Sequence, residues 1–550
     1  MKNKITLFFC LISVCLNVFS NNRHFELSKN LDIFNSLYKS LNIHYVDTIP
    51  LNKMVKAGID GMLRNIDPYT IYIPAENDED FTLMTTGEYA GVGAVITQRD
   101  SAIYINEVYV DMPAYNVGLR AADKIVSVDK TEIKNHTVSQ VSEMLRGIPG
   151  TEVKVGILHP NETKVKYYNI TRKQIYINPI TYYNVVADSI GYINLSSFTD
   201  NCSSELQKSY LELKEKGIKG LIIDLRSNPG GLLREAINIS NFFLPKGETI
   251  VSTKGKEEEN NMTYKAHNTP IDLNIPLIIM VDGNSASASE IVAGAMQDLD
   301  RAVIVGSRTF GKGLVQGTFP VAYDGKLKVT TAKYYTPSGR CIQAINYTQK
   351  EGEKSGTIPD SLTTEFKTRA GRTVRDGRGI MPDVEYKYKH EKDSMALALI
   401  CMELYKEHFI FDYATKFKTE HTNIPSIEDF SITDDIYNNF KAFVISKDFK
   451  YKNSSQEGLK KLIEIIKKEN FYEESKEILD SLEAKLTHNI EDELDKYRKE
   501  ISQMLSSEIV KRYYFSKGEA QEVLKTDEEL KLCIEILNDP KRYHDILQGK

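Results

Sequence analysis

The stretch that most constrains this chain runs from Pro276 to Asp298, PLIIMVDGNSASASEIVAGAMQD. Five apolar residues, Leu277 to Val281, read as a buried strand, broken at Asp282-Gly283-Asn284. A helical pattern resumes within Ser285-Ala286-Ser287-Ala288-Ser289-Glu290. A strand turning sharply into a helix exposes a small polar residue at the helix N-terminus, where unpaired N–H groups stabilise negative charge. A second buried strand, Ala302 to Gly306, leads to Ser307-Arg308-Thr309-Phe310-Gly311-Lys312-Gly313. A lysine between two glycines just past a buried strand is well placed to lose water. Ser287 and Lys312 read as a nucleophile and its base, while small-residue packing alone accounts for Ser285 and Ser289.

The surroundings repeat the alternation. Ile190–Leu195 reads as a strand and residues 204–216 as a helix; a buried strand from Gly220 to Leu225 and a helix from Leu232 to Phe243 follow. Such a pattern specifies a mostly parallel, helix-covered sheet. Gly230-Gly231, past the third element, makes a backbone-lined niche at a strand's C-terminal end; a turn needed only for helix packing is the other reading. None of the ten histidines falls in these blocks, and no His/Cys spacing suits a metal. Neither cofactor nor metal is expected. A serine hydroxyl still needs a base, and a lysine whose pKa is lowered by burial can supply one.

SASASEIVAGAMQD followed by GSRTFGKGLVQ resembles the C-terminal processing (tail-specific) serine proteases of bacteria and chloroplasts. Their lysine follows the nucleophile by 25 positions, the interval from Ser287 to Lys312. The likeness runs from about Leu27 to Val384 and includes the Asp67-Pro68-Tyr69-Thr70 turn, the Thr336-Pro337-Ser338-Gly339-Arg340 loop and Gly379 to Val384. Arg378 stands where that pattern has glycine. The resemblance implies a crotonase/ClpP-like mixed α/β protease core and a Ser-Lys dyad working through an acyl-enzyme. It assigns Gly230, Gly231 and Ala288 to the oxyanion hole, and Gln316 to orienting the Lys312 amine. Asp298 matches an aspartate grouped with the dyad in some members. A carboxylate touching Lys312 would keep the amine charged, so the physical reading of Asp298 is structural.

Residues 87–172 change character to short strands and glycine turns, in an order that resembles a PDZ domain. In that fold a Gly-x-Gly loop, here Gly91-Val92-Gly93-Ala94, binds a terminal carboxylate while the peptide extends the sheet. Ala121-Ala122-Asp123 departs from the glycine-aspartate turn expected there.

Lys2 and Lys4 precede an apolar run from Ile5 to Phe19, and Val18-Phe19-Ser20 suits cleavage. The expectation is a signal peptide and an exported, periplasmic chain, with a retained membrane tether as the alternative. Two helical stretches follow, Leu27–Leu41 and Leu51–Ile66. The Lys/Glu-rich tail is helical, with Leu479, Leu482, Leu486, Ile490, Leu494, Tyr497 and Ile501 predicting one long amphipathic helix. That tail reads as a packing domain, or as an arm for a homo-oligomer or adaptor. The expected architecture is an α/β and α+β multidomain chain: signal 1–20, helical segment 21–83, inserted PDZ domain 84–172, protease core 173–391 and all-helical domain 392–550.

A net charge of −6 gives no reason to expect nucleic acid. The expected function is that of an exported endopeptidase that reads free protein C-termini. A non-catalytic PDZ scaffold and a Ser-Lys amidase or esterase on small molecules are the alternatives.

Overall fold

A computed structural model describes residues 2–347, 356–387, 394–450, 454–486 and 489–550. Two compact units emerge, one of residues 1–75 and 316–330, the other of residues 76–315 and 331–550.

In the first unit, helices span Lys2–His44 and Leu51–Arg64, the second burying none of its residues. The expected stripe at Leu27, Leu31, Phe34 and Leu37 stays exposed. Among the described residues, no helix is long and apolar enough to cross a membrane. Asp67 closes the following turn by accepting from the N–H groups of Tyr69 and Thr70, both at 2.8 Å, and from the Thr70 hydroxyl at 3.0 Å. Strand Ile71–Ile73 then pairs antiparallel with residues 326–328.

The second unit is built on a six-stranded sheet in the order Ile180–Ala187, Ile190–Leu195, Gly220–Asp224, Leu277–Val281, Val303–Gly306, Val384–Glu385. The first pair is antiparallel and the others are parallel. Strand side chains alternate between faces, so a strand apolar throughout must be covered on both sides. Leu277, Ile279 and Val281 face one core, roofed by helices Cys202–Glu215, Leu233–Phe243 and Ala288–Asp298. Ile278 and Met280 face another, closed by Leu530, Cys533, Ile536 and Tyr543. Those come from helices Glu528–Asn538 and Pro540–Leu547, at the end of the chain. The last two helices of the expected all-helical domain 392–550 thus pack on this face of the protease sheet.

The predicted long helix is broken, into Tyr472–Leu486, Ile490–Lys496 and Arg498–Leu524, the last itself kinked at Phe515. Asn489, with ψ 105°, leaves helical space and caps its successor by accepting from the Glu491 N–H at 3.1 Å. Leu494, Tyr497 and Ile501 enter the core of the helical domain, beside Tyr437, Phe440 and Phe417.

The PDZ region forms a sheet in which edge strand Ala94–Arg99 pairs Ala102–Val108, followed by Lys124–Val128, Glu152–Leu158 and Lys166–Thr171. Helix Val138–Leu145 starts on a capping box between Thr137 and Gln140.

Candidate active site

Ser287 stands at the N-cap of helix Ala288–Asp298 with φ 55° and ψ −111°. That conformation costs an L-residue about 1–3 kcal/mol and persists only where neighbours over-determine it. Here they do. The Ser285 hydroxyl donates to the Leu225 carbonyl at 2.7 Å, and the Ser289 hydroxyl to the Asn228 carbonyl at 2.9 Å. Both flanking serines are buried and lace the elbow to the loop after strand Gly220–Asp224. Ser287 itself is half-buried.

Glu290, one turn into the helix and fully buried, organises the rest. One carboxylate oxygen accepts from the backbone N–H of Ser287 at 2.8 Å and from that of Lys312 at 2.9 Å. The other accepts from the Gly311 N–H at 2.7 Å and the Thr309 hydroxyl at 2.6 Å. The Ser287 and Lys312 nitrogens therefore lie within about 6 Å of each other, the sum of two hydrogen bonds. Burial pushes the Glu290 carboxyl above its ordinary value, and the four donors work against that.

The buried Tyr334 hydroxyl completes the tie, 2.7 Å from the Lys312 carbonyl and 3.1 Å from that of Ser287. Burial, and then the Glu290 charge, hold its phenol well above the usual range, so it stays a donor. The Gly313 N–H donates to Gln343 Oε1 at 2.7 Å, fixing the far side of the lysine turn. Lys312 is half-buried.

Gly230 and Gly231 have φ 97° and 148°. A Cβ on Gly230 would fall 2.8 Å from Ser287 Cβ and 2.9 Å from the Ala288 nitrogen, so only glycine lets the loop reach the elbow. One expectation needs correction. The Gly230 N–H donates to Asn228 Oδ1 at 2.9 Å and is not a free oxyanion donor. The N–H groups of Gly231 and Ala288 have no acceptor among the described residues. Gly230 sets the close approach of this loop to the elbow.

Asp298 lies at the opposite end of the helix, both oxygens occupied. It pairs with the buried Arg340 guanidinium at 2.8 Å and accepts from the Ser338 N–H at 3.0 Å. It thus fastens the Thr336–Arg340 loop. Gln316 falls in the first unit, where its amide donates to Thr330 Oγ1 at 3.4 Å. In the PDZ region, Gly91 ends one strand and Ala94 opens the next. Between them, the Val92 and Gly93 carbonyls accept from the N–H groups of Ala114 and Tyr109 at 2.8 and 3.0 Å. Among the described residues, no cluster of His, Cys, Asp and Glu could hold a metal ion.

From its place in the first helical turn Glu290 reads as support for helix and loop geometry, and nothing in the sequence singles out Tyr334 or Asn228. Glu290 carried a usable signal, an acidic residue three positions past an N-cap serine. Tyr334 lies in an ordinary-looking strand, and nothing local marks it.

Residues 189–361, which include Ser287 and Lys312, match the family model described as Peptidase family S41. Residues 80–158 match PDZ domain, and residues 400–537 match Probable PDZ-protease, C-terminal helical domain. The chain is 36% identical over 342 residues to the carboxy-terminal-processing protease of Bartonella bacilliformis, covering 62% of this chain and 78% of that one. The chain belongs to peptidase family S41.

A further relative is the probable CtpA-like serine protease of Staphylococcus aureus strain N315, 34% identical over 345 residues, with 61% of this chain and 68% of the relative covered. Among solved structures, the photosystem II D1 C-terminal processing protease is 26% identical over 64% of this chain and 92% of its own, with a TM-score of 0.35. This S41 chain is a serine-type peptidase carrying a PDZ domain, and both parts suit peptide or protein substrates.

Proposed function

We propose that this S41 peptidase cleaves peptide bonds with Ser287 as nucleophile and Lys312 as base, on protein substrates whose free C-termini the PDZ domain grips. The observation that carries this reading is the Glu290 oxygen shared by the Ser287 and Lys312 backbone amides. It holds a strained hydroxyl-bearing residue beside the lysine turn, next to two N–H groups without acceptors.

Neutral Lys312 takes the proton from Ser287 Oγ as that oxygen bonds to the substrate carbonyl carbon. The oxyanion rests on the Gly231 and Ala288 amides, each such donor being worth about 3 kcal/mol in the transition state. Collapse breaks the C–N bond, and the Lys312 ammonium gives its proton to the departing amine. Water then attacks the Ser287 ester with Lys312 again as base, regenerating the hydroxyl. Gln316 is carried over from the family resemblance alone. Gly91 to Ala94 are the proposed carboxylate loop.

Lys2, Lys4 and the apolar run from Ile5 support export with removal of the leader. The buried positions of Leu494, Tyr497 and Ile501 favour packing over partner capture for that part of the tail. The deciding experiment compares a fluorogenic peptide bearing a free C-terminus with its amidated twin, on the wild type and on Ser287→Ala. Faster cleavage of the free acid, absent in the variant, is expected. Equal rates would remove the C-terminus reading, and cleavage by Ser287→Ala would remove the nucleophile. Sequencing the N-terminus of the secreted chain tests the leader.

A further inference from the structure

We infer that Asp527 and Glu529, at the start of the penultimate helix, are positioning residues for the oxyanion loop, so the end of the chain is part of the catalytic machinery. The inference rests on the Ser287 reading above. Arg226 is the second residue past strand Gly220–Asp224, four positions before Gly230. Its guanidinium meets three carboxylates. Asp224, on the strand itself, is reached at 2.6 Å; Asp527 lies at 2.7 Å and Glu529 at 3.1 Å, both arriving from helix Glu528–Asn538 and its cap.

The segment that Arg226 belongs to is bonded residue by residue to the nucleophile elbow. The Leu225 carbonyl accepts from Ser285 Oγ at 2.7 Å. The Ser227 N–H donates to Asp282 at 2.9 Å. The Asn228 carbonyl accepts from the Ala286 N–H at 3.0 Å and from Ser289 Oγ, while its side chain takes the Gly230 N–H. Turning the Arg226 side chain therefore moves the frame that aims Gly231 toward Ser287. Asp224 alone can neutralise Arg226, but it is only two residues away in the same segment and cannot tell the loop where to lie. Asp527 and Glu529 can, because their helix is docked on the sheet's far face through Leu530, Cys533 and Ile536. Glu529 also lies beside the strand leading to Lys312: a Cβ on Gly306 would lie 2.8 Å from Oε1, the oxygen that does not meet Arg226. One helix start, with Glu529 buried, thus borders both strands that carry the site.

Asp527 also caps its helix, accepting from the N–H groups of Glu529 and Leu530. Asn caps as well as Asp, so Asp527→Asn removes the charge and keeps the cap. The test uses the full chain with Asp527→Asn, Glu529→Gln and both together, assayed on a fluorogenic peptide and by the rate of fluorophosphonate labelling at Ser287. The double variant should lose about tenfold to a hundredfold in kcat, less than deletion of an oxyanion donor costs, with KM within about twofold. Labelling should slow by the same factor. In an Arg226→Lys background the same changes should cost little more, since the fork they aim is already gone. A folded double variant with wild-type kcat, or a loss confined to KM, overturns the inference. If the double variant does not fold, Asp527→Asn alone is read by the same criteria. Ser287→Ala separates the two claims: cleavage by it sinks the nucleophile reading itself, whereas an inactive Ser287→Ala beside a fully active double variant sinks only the role of the last helices.

Discussion

The backbone N–H groups of Ser287 and Lys312 end on the same oxygen of Glu290, at 2.8 and 2.9 Å. A buried carboxylate with all four hydrogen bonds directed at the elbow and the lysine turn ties these two segments together. Each can then be perturbed separately.

Ser287→Ala and Lys312→Ala should each reduce peptide cleavage by about 10⁴-fold or more while thermal unfolding and far-UV circular dichroism stay as in the wild type. A folded Lys312→Ala variant that still cleaves would take the lysine out of the mechanism.

Glu290→Gln should lower activity by about a hundredfold, because an amide has one oxygen for four donors and leaves buried N–H groups unpaired at about 1–3 kcal/mol each. Its stability deficit should also depend on pH. The folded chain holds the Glu290 proton more tightly than the unfolded chain, chiefly through burial. Stability from that difference is fully present below the ordinary value of 4.5 and is lost as pH rises through the folded value. The glutamine variant has no such titration, so its deficit should shrink across the window. Urea midpoints of the two proteins, taken as a difference at each pH, read this directly; a deficit that grows with pH contradicts it.

Asp298→Asn should act on stability. Arg340 is almost fully buried, and weakening its only carboxylate partner among the described residues costs about 3 kcal/mol. At a temperature where the variant is folded, Ser287 labelling should stay within about fivefold of wild type. A hundredfold slowing in folded protein would instead put Asp298 in the chemistry.

Gly93→Ala tests the PDZ loop. Gly93 has φ 77°, and a Cβ there would fall 2.5 Å from Met112 Cβ. The loop must move, so a peptide with a free C-terminus should bind at least about tenfold more weakly by fluorescence anisotropy, measured in a Ser287→Ala background. Unchanged affinity would place carboxylate capture elsewhere.

Local pattern carried much of this. The apolar run Leu277–Val281 followed by serines and alanines marks a strand and a small-residue helix start whatever surrounds it. The glycines of the lysine turn and of Gly230-Gly231 report backbone that must come close to something. Periodicity in the tail identified apolar faces such as Leu494, Tyr497 and Ile501, yet it ran one helix across Asn489, where a side-chain cap breaks the backbone.

What only the folded chain decided is which groups meet. Whether Gly230 offers its N–H to substrate depends on the Asn228 side chain, which takes that donor first. Whether the last helices form a separate module or part of the protease depends on what covers Ile278 and Met280. Arg226 and Asp527 lie 301 positions apart. An apolar stripe or a lone arginine says that a partner is required, and its own neighbours cannot say which. Secondary structure is set by interactions within a few residues and is written in the sequence at that range. The pairing of a buried charge or amide is settled by packing across the whole molecule.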